Sequence, residues 1–329
     1  MSAVATGKLN RIWVDEPPLE SIFPLLEGRA QLIGPGAPPE ELATCVAALD
    51  PGVPWTAVRM DHAPQLRMIS RIGVGFDNID IPAATARGIL VCNTPQAPTQ
   101  STAEHAVGLI FATAKSIGRA DVRTRSNRWQ DSCRSQKGLE LNSRVLGLVG
   151  AGRIGGLVAQ IMRAVGMRVL AFDPGLSPAR AGELGVELVA DLRALLQQSD
   201  IVSLHAPATP ATRHMINAER LAAMKRGAIL INTSRGALVD EVALAAALSS
   251  GRLAAAGLDV FEREPISPDN PLLRFENVVL TDHIASHTWA GHHRLYETAV
   301  RHVLEVLAGQ RPSALLNPEC PGRPAVDAL

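Results

Sequence analysis

Residues 144–155 read RVLGLVGAGRIG, an apolar run that ends in glycine and passes at once into a helix-like segment. A strand that must become a helix within a few residues needs glycine at three places: where the turn is tight, where another group approaches the backbone, and where helix and strand touch. Gly150, Gly152 and Gly155 stand at those places. The helices of such units cover both faces of the sheet, so further parallel strands are required to complete it. The chain offers them. Apolar runs at 145–149, 168–172, 200–204, 228–232, 255–260 and 277–281 alternate with helix-like stretches, enough for a full doubly wound sheet. The stretch DEVALAAALSSGRL, from Asp240, has an acidic first turn and Gly251 just past its end, as a capped helix should.

A second alternation precedes this one. Residues 11–14, 30–33 and 66–72 read as strands and 55–62 as a helix, until the prolines of NTPQAPTQ interrupt. STAE at 101–104 then has the form of a capping box, followed by Ala103, Ala106, Val107, Ile110, Phe111 and Ala114 at helical spacing. Residues 116–140 are charged and read as irregular. After His287 the pattern is helical to about Leu307, then proline-rich to Leu329, a tail expected to be disordered. A length of 329 residues suits two domains. The N-terminal series has no other means of completion, so the last helix is expected to return to it. The fold class expected is α/β with two Rossmann-like doubly wound parallel-sheet domains. A split domain of 1–98 and 290–329 would carry the substrate, and 99–289, inserted between, the cofactor.

Lysine plus arginine balances aspartate plus glutamate at 32 each, which gives no field to attract nucleic acid or an anionic membrane. Cys45, Cys92, Cys133 and Cys320 are scattered and form no CxxC pair, so neither a metal site nor a disulfide framework is expected. They read as buried thiols of a reducing compartment. With no run of 18 apolar residues and no signal-like N-terminus, a cytoplasmic protein is expected.

The glycine motif follows a strand and opens a helix, where backbone N–H groups and the helix dipole can hold a pyrophosphate. Asp173 ends the next strand 18 residues after Gly155, where an acid binds ribose hydroxyls. The same carboxylate repels a 2′-phosphate and no base follows in PGLSP, so NAD is expected over NADP. Three more polar residues lie just past strand ends: Arg235 after AILINTS, Glu264 after AAAGLDVF and His283 after NVVLT. An arginine can grip a carboxylate through two hydrogen bonds, a histidine can exchange a proton near neutral pH, and a carboxylate beside it can orient the ring. Those are the needs of hydride transfer to a 2-keto acid.

These motifs resemble the D-isomer-specific 2-hydroxyacid dehydrogenase family over roughly residues 40–310. The matching runs include GVGFDNID at 73–80, NTP at 93–95, STAEHAVGLI at 101–110, HAPATPATRHMIN at 205–217, INTSRGALVDE at 231–241, GLDVFEREP at 257–265 and HIASHT at 283–288. The resemblance implies that Arg235, Glu264 and His283 are catalytic, with Arg235 also binding substrate. It implies that Gly73, Val74 and Gly75 hold the substrate carboxylate. Cofactor contacts would come from Gly150, Gly152, Arg153, Ile154, Gly155, Asp173, His205, Pro207, Thr233 and Asp259, the last near the nicotinamide carboxamide. His105 reads as structural. Most relatives have proline before the catalytic histidine, whereas here Asp282 precedes His283, an acid expected to point outward. The resemblance also implies a homodimer, an active site in the cleft between domains, and a small substrate such as glyoxylate or hydroxypyruvate. The alternatives are a D-3-phosphoglycerate dehydrogenase, a phosphite or formate dehydrogenase, and, from another class, an NAD-sensing corepressor. Against a phosphorylated substrate, the stretch at 45–59 has no basic residue until Arg59, and Arg71 stands beside the GVG loop.

Overall fold

The computed structural model describes residues 9–129 and 138–323. The chain divides into two compact units, Met1–Pro98 with Thr288–Leu329, and Thr99–His287.

Among the described residues, the first unit is built on five parallel strands: β1 (Asn10–Val14), β2 (Ala30–Ile33), β3 (Ala47–Asp50), β4 (Met68–Arg71) and β5 (Leu90–Cys92), in the order β2-β1-β3-β4-β5. Strands β3 and β5 escape the sequence reading. AALD has no β-branched or aromatic residue, and its strand character comes from lying between β1 and β4 with all four residues buried. β5 is only three residues long. The helix Trp289–Leu307 packs on this sheet through Leu295, Tyr296, Ala299, Val300, Val303 and Val306, an i, i+3/i+4 stripe set against Ile12, Leu49, Met68 and Leu90. Two buried polar groups fasten it, with Ser70 Oγ donating to Ala299 O at 3.0 Å and Arg67 Nη2 to Val306 O at 3.3 Å.

The expectation of a disordered tail is overturned as far as Arg323. Asn317 is fully buried against β5, where its Oδ1 accepts from Val91 N at 2.9 Å and its Nδ2 donates to Ile89 O at 2.9 Å. An amide with both ends paired replaces a missing strand neighbour at the sheet edge. Cys320 is buried beside it. Residues 324–329 and Cys133 lie outside the described residues.

Among the described residues, the second unit carries seven parallel strands: β6 (Val145–Val149), β7 (Arg168–Phe172), β8 (Glu187–Leu188), β9 (Ile201–Leu204), β10 (Ala228–Asn232), β11 (Leu253–Leu258) and β12 (Val278–Leu280). Their order is β12-β11-β10-β9-β6-β7-β8, which reverses beside β6, the topological switch point where such sheets bind ligands. Edge strand β8, two exposed residues, has no hydrophobic pattern to reveal it. Register then does the positioning. Val149 pairs with Phe172 and Leu204, Asn232 with Leu204 and Leu258, and Leu258 with Leu280. Gly150, Asp173, His205, Thr233, Asp259 and Thr281, each the next residue along, therefore form one row across the carboxyl edge.

Two local expectations need correction. The long helix is Thr99–Ala114, which starts directly after Pro98, so Ser101 is a buried interior residue and not a cap. Residues 117–125, read as irregular, form the helix Ile117–Arg125; its Ile117 and Val122 are exposed, so no apolar stripe announced it. The helix expected after Asp240 is Glu241–Ser249, with the Asp240 carboxylate accepting from Ala243 N and Gly251 at φ +66° beyond its end.

Candidate functional site

The glycine loop leaves β6 at Gly150, whose φ of +91° and close approach to His205 O exclude a side chain. A Cβ at Gly155 would stand 2.3 Å from Gly150 O, so this glycine lets the helix Arg153–Ala164 close down on the loop. At Gly152 a Cβ would meet nothing within 4 Å. The three glycines thus divide as the motif requires, with only the middle one facing open space. Arg153 and Ile154 form the first turn of the helix, whose dipole and N-terminal N–H groups point at that space. Asp173 reaches back to the loop, its Oδ2 accepting from Ala151 N and its Oδ1 from Gly175 N, both at 2.9 Å. His205 pairs through Nε2 with Ser203 Oγ at 2.9 Å, and burial pushes its pKa down to about 4, so the ring is neutral. Pro207 is exposed, its carbonyl accepting from Thr212 Oγ1. The hydroxyl of Thr233 is buried with no hydrogen-bond partner among the described residues. An unpaired buried hydroxyl in the row that carries the glycine loop fits a site built to receive a polar cofactor.

Further along the same edge, His283 Nδ1 lies 2.6 Å from Glu264 Oε2, and Glu264 Oε1 accepts from Phe261 N at 3.0 Å. Burial opposes ionisation of Glu264, but the hydrogen bonds from His283 and Phe261 and the charges of His283 and Arg235 outweigh it and hold its pKa below the usual 4.5. The ring is about half exposed, and with Nδ1 on Glu264 the Nε2 edge is the one open to a reactant. Arg235 follows β10 in a turn fixed by Asn232, which accepts from Ser234 N and donates to Arg235 O. Ser234 adds a bond to Ala206 O at 2.7 Å. Sequence reasoning passed over Gly236. A Cβ there would lie 1.9 Å from the Phe261 carbonyl carbon, so this glycine alone lets the Arg235 turn pack on the segment that bears Glu264. Its place directly after Arg235 was the available signal.

His283 holds a left-handed φ of +58°, a costly conformation for a residue with a Cβ. Asp259 imposes it. Its carbonyl accepts from His283 N at 2.9 Å, and its carboxylate accepts from Thr281 Oγ1 at 2.6 Å, Ile284 N at 2.9 Å and Ala285 N at 3.0 Å. His105 Nε2 backs this network, 3.0 Å from Thr281 Oγ1 and 3.4 Å from Asp259 Oδ1. Asp259 is fully buried; desolvation alone would raise its pKa, yet the bonds from His105, Thr281, Ile284 and Ala285 bring it below the ordinary value. It therefore braces the histidine loop from beneath and presents no open face to a cofactor. Asp282 is exposed.

In the first unit, β4 runs into the GVG loop. The three residues do not act alike, because Gly73 N donates to Thr94 Oγ1 at 2.9 Å and is spent internally, while the N–H groups of Val74 and Gly75 have no acceptor among the described residues. Arg71 donates through Nε to Gly75 O and through Nη1 to Asp50 O and Ile72 O. Asp50, which ends β3, is wholly buried; desolvation raises its pKa despite bonds from Asn78 and Gly52 and the nearby Arg71. Arg59 bonds to Asp15 at 2.6 Å and lies over the Trp55 ring at 4.1 Å.

A glycine loop of dinucleotide-binding form at a switch point, with an arginine and a carboxylate-oriented histidine on the same sheet edge, fits a dinucleotide-dependent oxidoreductase. Residues 107–285 match the family model described as D-isomer specific 2-hydroxyacid dehydrogenase, NAD binding domain. The glyoxylate reductase of Korarchaeum cryptofilum is 45% identical over 268 residues, 81% of this chain and 80% of that protein. The D-3-phosphoglycerate dehydrogenase of Mycobacterium bovis is 46% identical over 248 residues, 75% of this chain but only 46% of that longer protein. Among solved structures, the NADPH-dependent glyoxylate/hydroxypyruvate reductase of Sinorhizobium meliloti, in complex with NADP and malonate, gives a TM-score of 0.85 at 29% identity, covering 96% of this chain and 99% of that one. The chain belongs to the D-isomer specific 2-hydroxyacid dehydrogenase family. It is an oxidoreductase of 2-hydroxy and 2-keto acids with a nicotinamide dinucleotide cofactor. No helix among the described residues is long and apolar enough to cross a membrane.

Proposed function

We propose that this enzyme reduces small unphosphorylated 2-keto acids, glyoxylate or hydroxypyruvate foremost, with NADH. The observation that carries this reading is the 2.6 Å contact between His283 Nδ1 and Glu264 beside the Arg235 turn. Bound NADH supplies the hydride. His283, its Nδ1–H donated to Glu264, gives the proton on Nε2 to the keto oxygen, and the ionised Glu264 compensates the charge on the ring. Arg235 holds the substrate and stabilises the oxygen as negative charge develops. Val74 and Gly75 N–H take the carboxylate. Gly150, Gly152, Gly155, Arg153 and Ile154 hold the pyrophosphate, Asp173 the ribose, and His205, Pro207 and Thr233 line the remainder, with Asp259 serving the cofactor only indirectly. Asp173 favours NADH, since a 2′-phosphate would meet a carboxylate without a neighbouring base.

Phosphorylated acids are the poorer fit. A phosphate dianion needs a cation, yet β3 ends on the buried Asp50, Arg59 is engaged by Asp15 and Trp55, and the Arg71 guanidinium bonds to loop carbonyls. We also read the protein as cytoplasmic and as a homodimer, the second of which sedimentation of the purified protein tests. The decisive experiment is a panel of 2-keto acids with NADH. Glyoxylate or hydroxypyruvate should exceed 3-phosphohydroxypyruvate by at least about tenfold in kcat/KM, a difference of about 1.4 kcal/mol. A tenfold preference for the phosphorylated acid overturns the reading.

A further inference from the structure

The C=O and N–H of one planar trans peptide point in opposite directions, so whatever pulls a carbonyl inward turns the next residue's N–H outward. Each carbonyl of the GVG loop has such a partner. Gly73 O accepts from Thr94 N at 2.9 Å, Val74 O from Asn93 Nδ2 at 2.7 Å, and Gly75 O from Arg71 Nε at 3.0 Å. These three contacts fix, in order, the N–H groups of Val74, Gly75 and Phe76, none of which has an acceptor among the described residues. Consecutive outward N–H groups make a concavity for an anion. The arginine is seated closely, since a Cβ on Gly73 would stand 3.0 Å from its Cζ. That accounts for Gly73, whose own N–H is spent on Thr94.

We propose that Asn93 and Arg71 are positioning residues for carboxylate recognition, each locking one peptide of the loop so that the N–H groups of Gly75 and Phe76 join that of Val74 in facing the substrate carboxylate. The inference rests on the proposed 2-keto acid reductase reading. It assigns a task to the NTP run at Asn93, and it adds Phe76 N–H to the donor set. Arg71 also brings its charge within one peptide of the bound anion, where hydrogen bonds in series polarise one another.

The test is kinetic and uses the whole enzyme with NADH. Asn93→Asp keeps size but loses the donor and sets a carboxylate against Val74 O, so the peptide is released or reversed. KM for glyoxylate should rise about tenfold or more, the loss of a hydrogen bond to a charged group, while kcat falls less than about threefold and the Kd for NADH is unchanged. The inhibition constant of oxalate should rise in parallel. Arg71→Lys, which cannot reach three carbonyls from one nitrogen, should show the same split to a smaller degree. A purely structural defect would instead lower kcat and NADH affinity together. Wild-type KM and oxalate inhibition in folded variants overturns the inference, as does that joint loss with KM unchanged. Hydrogen exchange on the wild-type NADH complex decides the matter even where variants fail to fold. Oxalate should slow exchange at Val74, Gly75 and Phe76 but leave Gly73 as it was, and no slowing at Gly75 and Phe76 overturns the inference. A wild-type enzyme that turns over no 2-keto acid removes the functional reading as well, whereas an active wild type with indifferent variants removes only this one.

Discussion

Replacing Gly236 with alanine should separate Arg235 from Glu264 without touching either. The added Cβ would stand 1.9 Å from Phe261 C, 2.0 Å from its oxygen and 2.4 Å from Glu262 N. Ordinary contact begins near 3.4 Å, so the two segments must part by about 1.5 Å. The obstacle is backbone and cannot rotate away. Phe261 N is itself a donor to Glu264 Oε1, so the displacement passes directly to the carboxylate that holds His283. Misplacing catalytic groups by about 1 Å costs on the order of 100-fold in rate, or about 2.7 kcal/mol. Overpacking adds a stability loss of about 1–3 kcal/mol. The assay is kcat/KM with glyoxylate and NADH, alongside urea unfolding. Gly182→Ala is the control, in the helix Pro178–Leu184 where a Cβ meets nothing within 4 Å. It should leave activity intact and raise stability by up to about 1 kcal/mol. A Gly236→Ala enzyme within threefold of wild type would refute the reasoning, because the loop would then have absorbed the shift without moving Arg235, Glu264 or His283.

His283→Ala should lower kcat by about 10² to 10⁴ while the Kd for NADH is retained, since a general acid serves the transition state and not the cofactor; full turnover would remove it from the mechanism. Asp173→Ala should narrow an NADH over NADPH preference of at least about tenfold, measured as the ratio of kcat/KM values; an unchanged ratio would show that selectivity resides elsewhere. Glu264, whose folded pKa lies below 4.5, contributes stability that is present above that value and lost as pH falls through its folded pKa. The Tm gap between wild type and Glu264→Gln should therefore be present at pH 7 and close in acid, and a gap that persists at low pH would mean the carboxylate acts otherwise than as an anion.

Short-range pattern carried much of this protein in its linear sequence. The spacing of Gly150, Gly152 and Gly155 behind an apolar run is a local requirement of the strand–turn–helix, met within a dozen residues. Arg235, Glu264 and His283 were legible because strands of one parallel sheet end along a common edge, so residues after unrelated apolar runs come to one level. Elements whose character comes from their neighbours were not legible. β3 is a strand because it lies between β1 and β4, and its four residues carry no β-forming signal. The proline-rich tail is ordered as far as Arg323 because Asn317 finds both hydrogen-bond partners on the edge of β5, more than 200 residues earlier. Tertiary structure alone also set the roles within motifs. Asp259 became the support of a left-handed His283 once register brought Thr281 to its side, and Gly73 lost its N–H to a threonine 21 residues away. Spacing along a chain fixes what a backbone can do locally; which buried donor meets which acceptor is decided only when distant segments share one interior and every polar group left there must find a partner.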